Sequence, residues 1–243
     1  MTTPYPEKRL QAAEHAPGLG SRTWVEVGAS PPRVLLVPVG SCEQHGPHLP
    51  LDTDTRIAVA VADAVAAGRT DVVVAPAVAY GSSGEHQDFA GTLSIGTDAL
   101  RTVLVELGRS AFPVPPARGP FRSLVFVNGH GGNHEGLRAA VDVLVGEGRP
   151  VSAWWPRIPG GDAHAGRTET SLLLALAPEL VGPGRPVGAT APLAELLPAM
   201  RSGGVAAVSP DGVLGDATGA SAAEGRAVFD ALVHDLAGQL GRS

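Results

Sequence analysis

A chain of 243 residues, 44% hydrophobic and 17% charged, carries enough apolar material for a substantial core and fits one large α/β domain. The net charge is -6 and the Lys+Arg 18 are scattered, which excludes a nucleic-acid groove or a basic face for an anionic membrane. No apolar run approaches the ~20 residues of a bilayer crossing. The single cysteine excludes an internal disulfide framework and points to a reducing cytoplasm.

Residues 1–20, MTTPYPEKRLQAAEHAPGLG, are polar and contain Gly and Pro. They read as a loosely ordered lead-in without the apolar centre of a signal peptide, and residues 21–243 are expected to form one domain. RVLLVPVG (33–40) reads as a strand and Thr55 to Ala67 as a helix, with Ile57, Val61 and Val65 at helical spacing. DVVVAPAVAYG (71–81) is a second strand. A helix over Asp98–Phe112 follows a Thr97 cap and places Leu100, Val103, Leu104 and Leu107 inward. The Pro-rich AFPVPPARGPF (111–121) is a surface loop, SLVFVNG (123–129) a third strand, and His134–Gly146 a helix behind a capping Asn133. PVSAWWP (150–156) is a fourth strand and 168–176 a helix. Ser221 and Glu224, at capping-box spacing, open the last helix. The strands are apolar on both faces, so the alternation predicts a mainly parallel sheet covered by helices on both sides.

In such sheets ligands bind beyond the carboxyl ends of the strands, and the polar clusters fall there. The first strand runs into Glu43 and His45, the third into NGHGGN with His130, and the fourth towards GGDAHAGRTETS with His164 and Glu169. Glu43 and His45 are two apart, so an extended segment points both the same way. The intervening GPHLP can turn the chain back and bring in Asp54 at a helix start. Imidazoles and carboxylates suit Zn, Mn or Fe(II), and this set suffices for two divalent ions with one bridging carboxylate.

Other readings of the same residues stand beside this one. Cys42 could be a thiolate nucleophile with His45, His130 or His164 as base, or a small buried packing residue. NGHGG could cradle a phosphate, although it lacks the P-loop lysine. His48 could orient a ligand carboxylate or make a loop contact. Asp52 reads as turn or support, His134 as a spare ligand or a surface residue, and His15 and His234 as surface residues. Trp154 and Trp155 border the pocket or pack at the strand end.

Together, GSCEQHGPHLPLDTD, NGHGGN and HAGRTETS resemble the creatininase family of metal-dependent amidohydrolases, over about residue 33 to the last helix. The resemblance takes in GSSGEHQDFAGTLSIG and GVLGDATGASAAEG, and the extended pattern is most similar to a peptidase branch of that family. It implies an α/β/α three-layer sandwich assembled as a hexamer or similar homo-oligomer. It also implies two divalent ions per subunit (Zn, Fe(II) or Mn), one held by Glu43, Asp54 and His130 and the other by His45, Asp54 and Glu169, with Asp54 bridging. His164 matches the catalytic histidine that passes a proton to the leaving amine, and Ser83, His86 and Gly131 match substrate-binding positions. Gly132 departs from creatininase itself, which carries a glutamate there; the smaller residue counts against creatinine and leaves room for a bulkier substrate. The branch implies cleavage of a radical-enzyme-modified precursor peptide near its C-terminus, releasing a Val-Tyr-derived fragment. Hydrolysis of a small cyclic amide or formamide is the alternative, followed by a metal-stabilised scaffold without turnover.

Overall fold

The computed structural model describes residues 18–113 and 119–242, so most of the expected lead-in and the centre of the Pro-rich loop lie outside the described residues. A Thr23–Glu26 capping box starts a short helix, α1 (Trp24–Gly28), which precedes β1 (Arg33–Val39) and α2 (Thr53–Ala66). Then come β2 (Val72–Val74), α3 (Thr97–Ala111), β3 (Phe121–Asn128), α4 (His134–Gly146) and β4 (Val151–Trp154). α5 (Arg167–Leu176), α6 (Leu193–Gly203) and α7 (Ala222–Leu240) complete the order.

The four strands are all parallel, in the order β2-β1-β3-β4. Alternation along each strand divides their side chains between two cores. Leu35, Val37, Leu124 and Phe126 pack with Leu100 and Leu104 of α3 and Leu137 and Leu144 of α4. Val34, Leu36, Val125 and Val127 pack with Val61 of α2, Leu172 of α5 and Leu232 and Leu236 of α7. Helices on both faces of one sheet make the three-layer α/β/α arrangement.

Several local expectations are corrected. The strand expected over 71–81 pairs only over Val72–Val74. Pro76 has no N–H for the ladder, and the chain rejoins β1 at Val78 one residue out of register, with Val78 N–H donating to Pro38 O at 2.9 Å. Val103 and Leu107 are 39% exposed; the buried residues of α3 are Leu100, Leu104, Val105, Gly108 and Ala111. Thr97 is the first helical residue rather than the cap, and its hydroxyl sits 2.9 Å from that of Ser82. Asn133 precedes α4 without capping it. Its amide donates to Gly40 O at 2.9 Å and to Asn128 Oδ1 at 3.2 Å and accepts from Ser82 N–H at 2.9 Å, tying three strand-end segments together. Ser221 does cap α7, but the Glu224 carboxylate pairs with Arg167 instead of closing the box.

The placement of α2 matters most for function. Its first turn lies over the ends of β1 and β3 at two glycines. A Cβ at Gly40 would fall 2.5 Å from Thr55 Cα, and one at Gly129 would fall 2.4 Å from the carbonyl oxygen of Asp54. Nothing larger than a hydrogen lets the helix start come so close. Gly129→Ala is therefore expected to cost roughly 1–3 kcal/mol by overpacking, read as a lower urea midpoint at unchanged slope; wild-type stability would contradict this close approach.

Candidate metal centre

Past the end of β1 the extended chain turns Glu43 and His45 inward, and neither has any solvent exposure. The first turn of α2 adds Asp54, 2% exposed, and the end of β3 adds His130, 5% exposed. The loop before α5 brings His164, and the first turn of that helix brings Glu169. Ala165, between them, is the non-glycine residue with positive φ (53°) among the described residues, and its N–H donates to Glu169 Oε2 at 2.5 Å. Backbone strain beside a ligand-rich pocket is consistent with a functional site.

Asp54 is the hub. Its Oδ1 lies 3.1 Å from His45 Nε2 and its Oδ2 lies 3.2 Å from His130 Nδ1, while Ser41 Oγ donates to Oδ2 at 2.7 Å. One ligand atom each from Glu43, Asp54 and His130 falls within 4.8 Å of the others, and so does one each from His45, Asp54 and Glu169. These are the two triplets expected from the family resemblance. His45 Nδ1 donates to the Glu43 carbonyl at 3.1 Å, which fixes the tautomer and leaves Nε2 free as a ligand.

The donor set fits divalent cations. Both carboxylate oxygens of Glu43 are buried and accept no hydrogen bond among the described residues, although His130 Nε2 stands 3.1 Å and His86 Nε2 3.4 Å away. A carboxylate so placed is costly unless a cation faces it. Burial opposes its charge, but His130 beside it outweighs burial and holds its pKa at about 2. Asp54 is likewise held low against its burial by His45 and His130. His130 is driven well above the usual imidazole range, against burial, by Glu43 and Asp54. Glu169 is pushed up to about 7, chiefly by burial. The imidazoles thus take the positive charge that the carboxylates demand, and metal ions would displace those protons.

The cavity above the centre measures about 330 Å³, within the size range of ligand sites. Asp54, His130, His164 and Glu169 line it, and the half-exposed Leu193 and Leu197 of α6 form an apolar rim. His164 stacks between His45 and His86, with ring centroids 4.3 and 4.4 Å away. Its Nε2 donates to the Gln44 carbonyl at 2.7 Å, and its Nδ1 faces Glu43 Oε1 at 3.7 Å. Burial, then the neighbouring His45 and His86, keep it far below the usual imidazole range and hence neutral. It also falls within 4.8 Å of Glu43 and His45 as a third possible triplet. Of the three expected substrate positions, His86 and Gly131 line the cavity. Ser83 lies fully buried behind His130, its Oγ 3.5 Å from Nε2.

The remaining candidates sort away from the centre. His48 Nε2 meets Thr170 Oγ1 at 2.8 Å, a loop contact beside Glu169, and Asp52 pairs with Arg56 at 2.7 Å. Cys42 is half-buried with Sγ 3.8 Å from the Gly91 carbonyl, away from the three histidines considered as its base. Trp154 is buried in the core and donates to Asp235 at 2.8 Å, and Trp155 packs against the exposed His134, so neither borders the cavity. His234 is exposed, and His15 lies outside the described residues. Sequence reasoning missed Gln44, whose Nε2 reaches His86 Nδ1 at 2.8 Å and Gly212 O at 3.0 Å; its place between Glu43 and His45 was the available signal. It also missed Glu85 and the rim helix α6.

Burial disfavours charge on His45, but Asp54 and then Glu169 outweigh it and raise its pKa from 6.5 to about 10. In metal-free protein this stabilisation is complete below pH 6.5 and is lost as pH rises through about 10. Metal-free protein should therefore lose melting temperature across that window, while metal-loaded protein should lose less, because an ion at Nε2 replaces the proton. Melting curves of the two forms measured side by side test this; parallel declines would contradict it.

Comparison with known proteins places this geometry. The creatininase family, described as creatinine amidohydrolase, matches residues 21–240. The mycofactocin precursor peptide peptidase of Mycolicibacterium smegmatis is 56% identical over 232 residues, covering 93% of this chain and 91% of its own. The crystal structure of creatinine amidohydrolase superposes with a TM-score of 0.73 at 29% identity, covering 92% of this chain and 96% of that one. Structures described as Zn–Zn and Mn forms of creatininase, the first a mutant, give TM-scores of 0.71 and 0.69 at 28% and 29% identity; each covers 91% of this chain and 96% of its own. The chain belongs to the creatininase family.

Proposed function

We propose that this protein is a two-metal peptidase that hydrolyses the radical-enzyme-modified mycofactocin precursor peptide near its C-terminus and releases the Val-Tyr-derived fragment. The observation that carries the reading is Asp54, which presents one oxygen to each of two ligand triplets on the floor of an open cavity. When bound, two divalent ions would polarise the scissile carbonyl and activate water. Zn, Mn and Fe(II) all suit these nitrogen and oxygen donors, and the Zn–Zn and Mn creatininase forms support the first two.

The protein's own groups supply the rest. Gln44 holds His86 and His164 in place on either side of Glu43. His164 lines the cavity with Nε2 donating to the Gln44 carbonyl, which leaves Nδ1 to carry a proton to the departing nitrogen; burial and the neighbouring His45 and His86 make a proton held there easy to give up. Gly131 opens the turn before α4 and offers backbone to the substrate carbonyl. The apolar rim of Leu193 and Leu197 suits the side chains of a Val-Tyr end. A second hollow of about 520 Å³ lies next to the first, with Ala163, Leu193 and Leu214 lining both, and gives an extended substrate room beside the metal centre. This favours the peptide over the cyclic amide or formamide. A non-catalytic scaffold would have no use for an open cavity over its metals. The same reading places the protein in the cytoplasm as a homo-oligomer. No helix among the described residues is long and apolar enough to cross a membrane, and Trp24, 85% exposed on α1, offers apolar surface for assembly.

Chelation should abolish release of the fragment from the modified peptide, followed by HPLC, and Zn, Mn or Fe(II) should restore it; full activity in metal-free protein would contradict the reading. Turnover of cyclic amides or formamides with an untouched peptide would favour the small-molecule alternative. Glu169→Gln should lose metal. His164→Ala should keep both ions and lose on the order of 10²–10⁴ in rate, whereas loss of metal from that variant would make His164 a ligand.

A further inference from the structure

Two acidic side chains of the triplets, Asp54 and Glu169, line the cavity, and one acid outside them joins them: Glu85, in the turn Gly84–His86. Its carboxylate is 32% exposed, with no hydrogen-bond donor and no Lys or Arg partner among the described residues. What it faces is His130 Nε2, 3.9 Å from Oε1, the same nitrogen that Glu43 Oε2 approaches at 3.1 Å. That Nε2 also donates to Ser82 O at 3.0 Å, so the charged imidazole is shared between a backbone carbonyl and Glu43, and at 3.9 Å it leaves the Glu85 carboxylate without a direct partner.

Gly132 explains how Glu85 gets there. A Cβ at 132 would fall 2.6 Å from Glu85 Oε1, 2.4 Å from His130 Nε2 and 2.4 Å from Ser82 O. No side chain can stand at 132 while the Gly84–His86 turn holds this position. The space that a glutamate at 132 would enter is filled by a glutamate from a different segment.

We propose that Glu85 is a ligand of the metal held by Glu43, Asp54 and His130, delivered across the space that Gly132 leaves open. The ion then has protein donors from four segments: the loop after β1, the first turn of α2, the end of β3 and the 84–86 turn. The assignment rests on the metal reading of the site and not on the identity of the peptide.

Metal-free wild type, Glu85→Gln and Glu85→Ala would be titrated with Zn²⁺ against a chromophoric chelator, with thermal melts of each metal-free protein alongside. Wild type should bind two ions. Each variant should weaken one of them by at least about tenfold, keep the other, and melt like wild type without metal. Wild-type affinity at both sites in the variants would overturn the assignment, even with turnover lost, since that pattern describes a substrate contact. Wild type binding fewer than two ions would overturn both the assignment and the two-metal reading. Wild type that binds two ions but leaves the modified peptide intact would refute the substrate alone, and the titration would still decide Glu85.

Discussion

Asp54 is a carboxylate with almost no solvent, set between two imidazoles at the point where a parallel sheet ends. Burying such a charge is unfavourable by several kcal/mol unless positive charge and donors surround it. Ser41 supplies one donor and the two histidines face one oxygen each. With Glu43 fully buried beside it and lacking hydrogen bonds, the acidic charge exceeds what two imidazoles comfortably balance. The arrangement makes physical sense as a cradle for divalent cations, and much of the nearby architecture keeps that cradle in shape.

Gly40 and Gly129 let the first turn of α2 descend onto the strand ends, which is what puts Asp54 between His45 and His130. Asn133 gives up its expected capping role to bind Gly40, Asn128 and Ser82, locking the loops that carry the ligands. Gln44 does the same for His86 and His164. Each of these side chains takes part in a satisfied polar contact around the centre, so the ligands are positioned before any metal arrives. That preorganisation keeps the cost of binding low.

The sheet, its helices and the gathering of Glu43, His45, Asp54 and His130 at the strand ends were legible in the sequence because each has a local signature, whereas the division into two triplets came only with the family resemblance. Apolar runs marked the strands, and the spacing of Glu43, His45 and Asp54 together with NGHGGN marked the centre. What escaped was decided by tertiary contacts. The slip after Val74 depends on how an edge strand copes with Pro76. The helix α6 was hidden by Pro198 inside it and by a rim face that stays half-exposed instead of joining the core. Asn133 read as a cap because local sequence cannot reveal three partners in distant loops. Glu85 carries no local signal, because its place beside His130 depends on the space left at Gly132 in a distant segment.

The family supplies the hydrolytic chemistry, and the cavity, the hollow beside it and the apolar rim suit a peptide end. Everything in that account runs through one shared carboxylate. The direct test is the metal content of Asp54→Asn, measured by elemental analysis after loading and desalting beside wild type. The account predicts two ions per wild-type chain and loss of both from the variant, because its neutral amide would face both histidines at once. A variant that keeps both ions would show that Asp54 does not bridge them and would contradict the account at its centre.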